Sequence, residues 1–156
     1  METKLSSSNV KNINILIDEV RALFFGKGKL NLVELKCKNW TCITLDDNQI
    51  LGEDAECIVD GLGKMGVSVV YGAWVVDFLN HEYFEVDVFG VDVASIEKLQ
   101  NPWSRIDHAD SFIFSEYPLK FLIYRPDTCQ DRMMVMGPDS FVEPLIKLGG
   151  WKLYEG

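Results

Sequence analysis

Apolar residues Val10, Ile13, Leu16, Ile17, Val20, Leu23 and Phe24 recur at spacings of three and four between Asn9 and Phe25. A 3.6-residue period gathers them on one face, predicting an amphipathic helix with a cap near Ser8 and an exit at Gly26. A second helix is predicted from Ile50 to Lys64. It buries Leu51, Ala55, Ile58, Leu62 and Met65, turns Glu53, Asp54, Glu56 and Asp60 outward, and is weakened at its end by Gly61 and Gly63. Asp92 caps a short third helix from Val93 to Gln100, stopped by Pro102. The last helix starts at Ser140, where Ser140 and Glu143 fit a capping box and Pro144 falls in the tolerated first turn, and it stops at Gly149 and Gly150.

Between these stretches the period shifts to two. Lys29 to Leu45 reads as two short strands turning at Asn39 and Trp40, with Asp46, Asp47 and Asn48 closing the segment. Val67 to Phe78 and Tyr83 to Val88 read as neighbouring strands joined near Asn80 and His81. Ser111 to Ser115, Lys120 to Tyr124 and Arg132 to Met136 follow with short connections, which favours an antiparallel meander. The tail, residues 151–156, adds an anchor or a short edge strand. The expected architecture is α+β: a mostly antiparallel sheet with three to four helices packed around it, in a single domain spanning 1–156.

Charge changes this picture in one place. Between Asn39 and Glu97 there are twelve acids and one cation, Lys64, while the whole chain carries a net −9. Such a field repels phosphate backbones and anionic lipid and attracts basic partners, so neither direct nucleic-acid binding nor membrane binding is expected. The acidic block centres on Trp74 to Val93, which holds no Lys or Arg. Alternation puts Phe84, Val86 and Val88 inward and leaves Tyr83, Glu85, Asp87 and Phe89 as an outward stripe of acids between aromatics. Trp74, Asp77, Glu82 and Asp92 flank it. Aromatic anchors beside acids suit a basic protein partner, in burial and in rate of capture. Gly90 breaks the parity, so a bulge or strand end falls there.

Catalytic and ligand signatures fail on inspection. Gly61-x-Gly63-x-x-Gly66 has the letters of a dinucleotide loop, but it leaves a helix and precedes a strand, the reverse of what that loop requires. Counting a calcium loop from Asp46 puts Leu51 and Cys57 where Gly and Glu are needed. Cys37, Cys42, Cys57 and Cys129 have no zinc spacing and are expected as reduced, mostly buried thiols. No cofactor or metal is expected. The longest apolar run is too short to span a bilayer, and the N-terminal stretch lacks a signal-peptide core, so the expected location is cytoplasmic.

A short acidic, aromatic-rich domain without catalytic signatures resembles the small acidic immunity proteins that neutralise bacterial toxins, including those of contact-dependent growth inhibition systems. The likeness lies in overall character, and it implies a non-enzymatic inhibitor that covers the active site or substrate surface of a basic toxin domain, often a nuclease. Two alternatives stand beside it. One is an enzyme of unfamiliar type using Asp107, His108 and Asp110 with Cys129 or Glu116, since His is the usual base near neutral pH. The other is an interaction module that homodimerises through an edge strand.

Overall fold

The computed structural model describes residues 3–26, 29–45, 50–80, 84–98, 109–127 and 132–154. Among these described residues ten strands and six α-helices are formed: β1 (Thr3–Ser6), α1 (Ile13–Ala22), β2 (Phe24–Gly26), β3 (Lys29–Leu30), α2 (Leu32–Cys37), β4 (Trp40–Leu45), α3 (Gly52–Lys64), β5 (Val69–Trp74), α4 (Val75–Asn80), β6 (Glu85–Gly90), α5 (Val93–Lys98), β7 (Ser111–Ser115), β8 (Leu122–Arg125), β9 (Met133–Pro138), α6 (Asp139–Lys147) and β10 (Lys152–Leu153). Eight of these strands join one sheet in the order β1-β6-β5-β7-β8-β9-β4-β10, and β2 and β3 form a separate two-stranded sheet. Every pairing is antiparallel. The α+β expectation therefore holds, with six helices in place of three to four.

Alternation along the strands builds two cores, one on each face of the sheet. In β7, Phe112 and Phe114 join a core with Leu16, Ile17 and Val20 of α1 and Phe78 of α4. The intervening Ile113 joins another with Ile58 and Leu62 of α3 and Phe141 and Leu145 of α6. All five residues of β7 are consequently buried, as a central strand covered on both sides requires. The predicted meander is present as β7-β8-β9.

Four predicted elements differ. The first helix is shorter than its apolar period: Ser8 lies in a 3-10 turn, Asn12 stands at the N-cap, and Phe24–Gly26 form strand β2 where the helix end and its glycine exit were expected. The first half of Lys29 to Leu45 contains helix α2, because the Asn31 side chain accepts the Glu34 amide at 3.3 Å and opens a helical turn. Asn39, at φ +57°, then makes the turn into β4. The run Val67 to Phe78 is divided between β5 and α4; the Val75 amide donates to the Asp110 carbonyl at 2.9 Å in the same register that pairs Trp74 with Ser111, so the β5–β7 ladder runs up to the first residue of the helix. At the last helix, Pro138 occupies the N-cap without a side-chain bond, so Ser140 lies inside α6 and the capping box does not form. Pro144 then lies beyond the first turn, in the helix interior. The tail supplies both of its expected contacts: β10 pairs with β4, and the buried Trp151 donates its Nε1–H to Asp54 at 2.9 Å.

Candidate functional site

β6 was expected to show one dry and one wet face, but both of its faces are covered. Val86 is buried and Phe84 and Val88 partly so, as predicted. Asp87 and Phe89, expected at the surface, are buried at 0% and 4% exposure; Phe89 shares a core with Ile96 of α5, which lies over that side of the sheet. A carboxylate so placed is costly unless engaged, and Asp87 does have a partner, as does the equally buried Arg125. Glu85 is exposed. Asp92 is exposed but acts as a cap: its carboxylate accepts the Ser95 amide at 2.8 Å and the Ser95 hydroxyl at 2.9 Å, and these bonds hold its pKa below the ordinary 3.8. Glu82 and Tyr83 lie outside the described residues. The continuous stripe is thus replaced by separate positions.

What remains of the stretch converges at its other end, where Trp74 closes β5 and α4 begins. Asp110 organises this corner. Its carbonyl takes the Val75 amide; Oδ2 accepts the Tyr124 hydroxyl at 3.2 Å, and Oδ1 accepts the Asp127 amide at 3.0 Å. One residue therefore fixes α4, the end of β8 and the turn after it. Beside it lies a cleft of about 300 Å³ lined by Val75, Val76, Leu79, Ala109, Asp110 and Asp127. That is the small end of the range for ligand clefts, a scale suited to one inserted side chain.

The chemistry of this cleft is divided. Val76 and Leu79, a turn apart on α4, are 51% and 57% exposed, so an apolar wall faces solvent. Asp110 and the exposed Asp127 supply its charged lining, and no cation lines it among the described residues. Trp74 and Asp77 are half-buried close by in sequence, and both are engaged in contacts of their own. Sequence reasoning reached Trp74 and Asp77 but missed Val76, Leu79, Ala109 and Asp127. The available signal was the i, i+3 pair Val76 and Leu79, which the strand reading of Val67 to Phe78 concealed.

Beyond the cleft, acidity is concentrated on one layer. The exposed positions of α3, α5 and α6 carry Glu53, Glu56, Asp60, Asp139 and Glu143 against Lys64, Lys98 and Lys147, and Lys64 is itself paired with Asp60 at 3.0 Å. On the opposite face α1 and α2 mix both signs, with Asp18, Glu19 and Glu34 beside Arg21, Lys36 and Lys38. The helix exit at Gly61 to Gly66 forms no phosphate loop: Gly66, at φ +75°, turns the chain out of α3.

Of the alternative catalytic group, Asp107, His108 and Cys129 lie outside the described residues. Asp110 is committed to the bonds above, and Glu116 is exposed and accepts the Ser68 hydroxyl at 3.4 Å. Cys42 is buried, Cys57 half-buried and Cys37 exposed, so the described thiols are less uniformly buried than expected. No helix among the described residues is long and apolar enough to cross a membrane. Compared with protein-family models, with curated proteins and with solved structures, the chain matches none of them.

Proposed function

We propose that the protein is a non-enzymatic binding protein for a basic protein partner, and that the cleft at α4 receives a Lys or Arg side chain from it. The carrying observation is the cleft's divided lining, with aliphatic walls and the carboxylates of Asp110 and Asp127. A long cationic side chain has matching parts, an apolar stem and a charged head. The acidic layer on α3 and α5 would add a long-range field that speeds encounter. In its finer form the reading is an immunity-type inhibitor that neutralises a toxin domain by covering its active site or substrate surface; the acidic, signature-free character of the chain supports it. The enzyme reading has less support, because both Asp110 carboxylate oxygens already accept hydrogen bonds.

The test begins with native co-purification of a basic partner, followed by binding measurements on the purified pair. Asp127→Lys and Leu79→Arg should each weaken binding by about tenfold or more, as expected for substitutions at an interface centre. Glu143→Lys, on the opposite face, should slow association at low salt and leave dissociation unchanged. Cleft variants that bind as tightly as the parent would refute the assignment.

A further inference from the structure

The edge at β1 carries information that the cleft does not use. Its register with β6 pairs Thr3 with Val88, Lys4 with Asp87, Leu5 with Val86 and Ser6 with Glu85. The Ser7 amide donates to the Phe84 carbonyl at 2.8 Å, continuing that register. In an antiparallel ladder hydrogen-bonded pairs alternate with non-bonded ones, so Leu5 and Thr3 bond inward to β6. Lys4 and Ser6 therefore direct their N–H and C=O groups outward, along the sheet's free edge. A groove of about 390 Å³ follows this edge, lined by Lys4, Leu5, Ser6, Phe84 and Glu85.

We infer that this edge pairs with β1 of a second copy of the chain, antiparallel about a two-fold axis at Leu5. The outward groups are self-complementary in that register: Lys4 of each copy faces Ser6 of the other, and the two half-buried Leu5 side chains meet across the axis beside Phe84. Charge points to the same occupant. Ser6 and Glu85 share one face of the sheet with Lys4, so the two-fold brings each Lys4 across the small Ser6 toward the partner's Glu85. So short a pairing, Lys4 to Ser6 of each copy, buries less than a standard interface, so the dimer is weak and concentration-dependent. Because the axis is perpendicular to the sheet, both α3–α5 layers end on the same side, doubling the acidic surface.

Ser6 offers a selective test. Its φ of −73° suits proline, and its N–H points away from β6, so Ser6→Pro removes an intermolecular donor without breaking the ladder of the monomer. Ser6→Ala controls for the hydroxyl. Sedimentation equilibrium of the full chain, from roughly 1 μM to 1 mM, should show the mass rising from 17.8 kDa toward twice that value. Ser6→Pro should raise the dissociation constant at least ~tenfold over Ser6→Ala. If Ser6→Pro fails to fold, Lys4→Glu should weaken the dimer and Lys4→Glu with Glu85→Lys should restore it. A monomer throughout that range overturns the inference, as does a dimer indifferent to the proline or to the charge exchange. None of these outcomes depends on the cleft.

Discussion

Burial separates the three described thiols by reactivity. Desolvation pushes the Cys42 pKa up to about 12, and it raises that of Cys57 together with Asp54 and Asp60, while Cys37 is exposed. Since the thiolate is the nucleophile, a Cys129→Ser background should show one fast-labelling site, Cys37, with Cys42 labelled only on unfolding; mass-mapped alkylation at pH 8 checks this. Asp92 gives a pH prediction of definite sign. Its folded pKa is depressed, so the stability it lends α5 is complete above the ordinary carboxylate value and is lost as pH falls through the folded value, below 3.8. An NMR titration should place its midpoint below 3.8, and Ser95→Ala should move it part of the way back, because the hydroxyl bond goes while the backbone bond stays. Asp92 was legible as a cap because capping is local. Asp87 and Phe89 were not, because alternation reports two phases but not whether a helix covers the second.

At the scale of elements, periodicity was sufficient for helices with one face in solvent, and turn signals were sufficient for short buried strands in sequence. α1, α3 and the β7-β8-β9 meander follow the pattern of their residues with ends shifted by a few positions. Legibility failed from Val67 to Phe78, since no change of period in this largely apolar run marks where β5 gives way to α4 at Val75. It failed at β1 for the opposite reason: Thr3 to Ser6 has too few apolar residues to show a period. At α2 the signal is local, Asn31 followed three residues later by Glu34, and it overrides the alternation of the residues around it. Packing between α3 and α6 supplies a paired prediction. A Cβ on Gly61 would sit 2.7 Å from the Phe141 ring, whereas one on Gly63 meets nothing within 4 Å. Gly63→Ala should therefore stabilise by about 0.5–1 kcal/mol through helix propensity, while Gly61→Ala should destabilise because Phe141 is buried and must move. Urea unfolding that shifts both midpoints in the same direction would contradict this account of the helix contact.

For the whole molecule, the strand order puts the two described ends of the chain at opposite edges of one sheet, β1 beside β6 and β10 beside β4. β10 is only two residues long, yet the tail around it reaches both cores. Trp151 is buried among the residues of α3 and α6 and bonds Asp54, while the Tyr154 amide donates to the Cys42 carbonyl at 3.0 Å and its hydroxyl accepts the Leu30 amide at 3.3 Å. Removing residues 151–156 should therefore act on three levels at once: it empties the site of a buried indole, frees β3 from its brace and bares the β4 edge. Large-to-small replacement of a buried aromatic alone costs about 3–5 kcal/mol, a sizeable part of a domain's total stability. The bared strand, Trp40–Leu45, is rich in apolar and β-branched residues and carries no charge to deter pairing, so light scattering should detect association of the truncated chain. Trp151→Phe keeps most of the buried ring and loses only the bond to Asp54, so it should cost nearer 1 kcal/mol and leave the chain unaggregated. A truncated chain that unfolds at the parental urea concentration would show that the sheet closes on β4 without the tail. The contrast with the other edge is physical: β1 has Lys4 and outward groups suited to weak, reversible pairing, whereas β4 must be covered by its own chain.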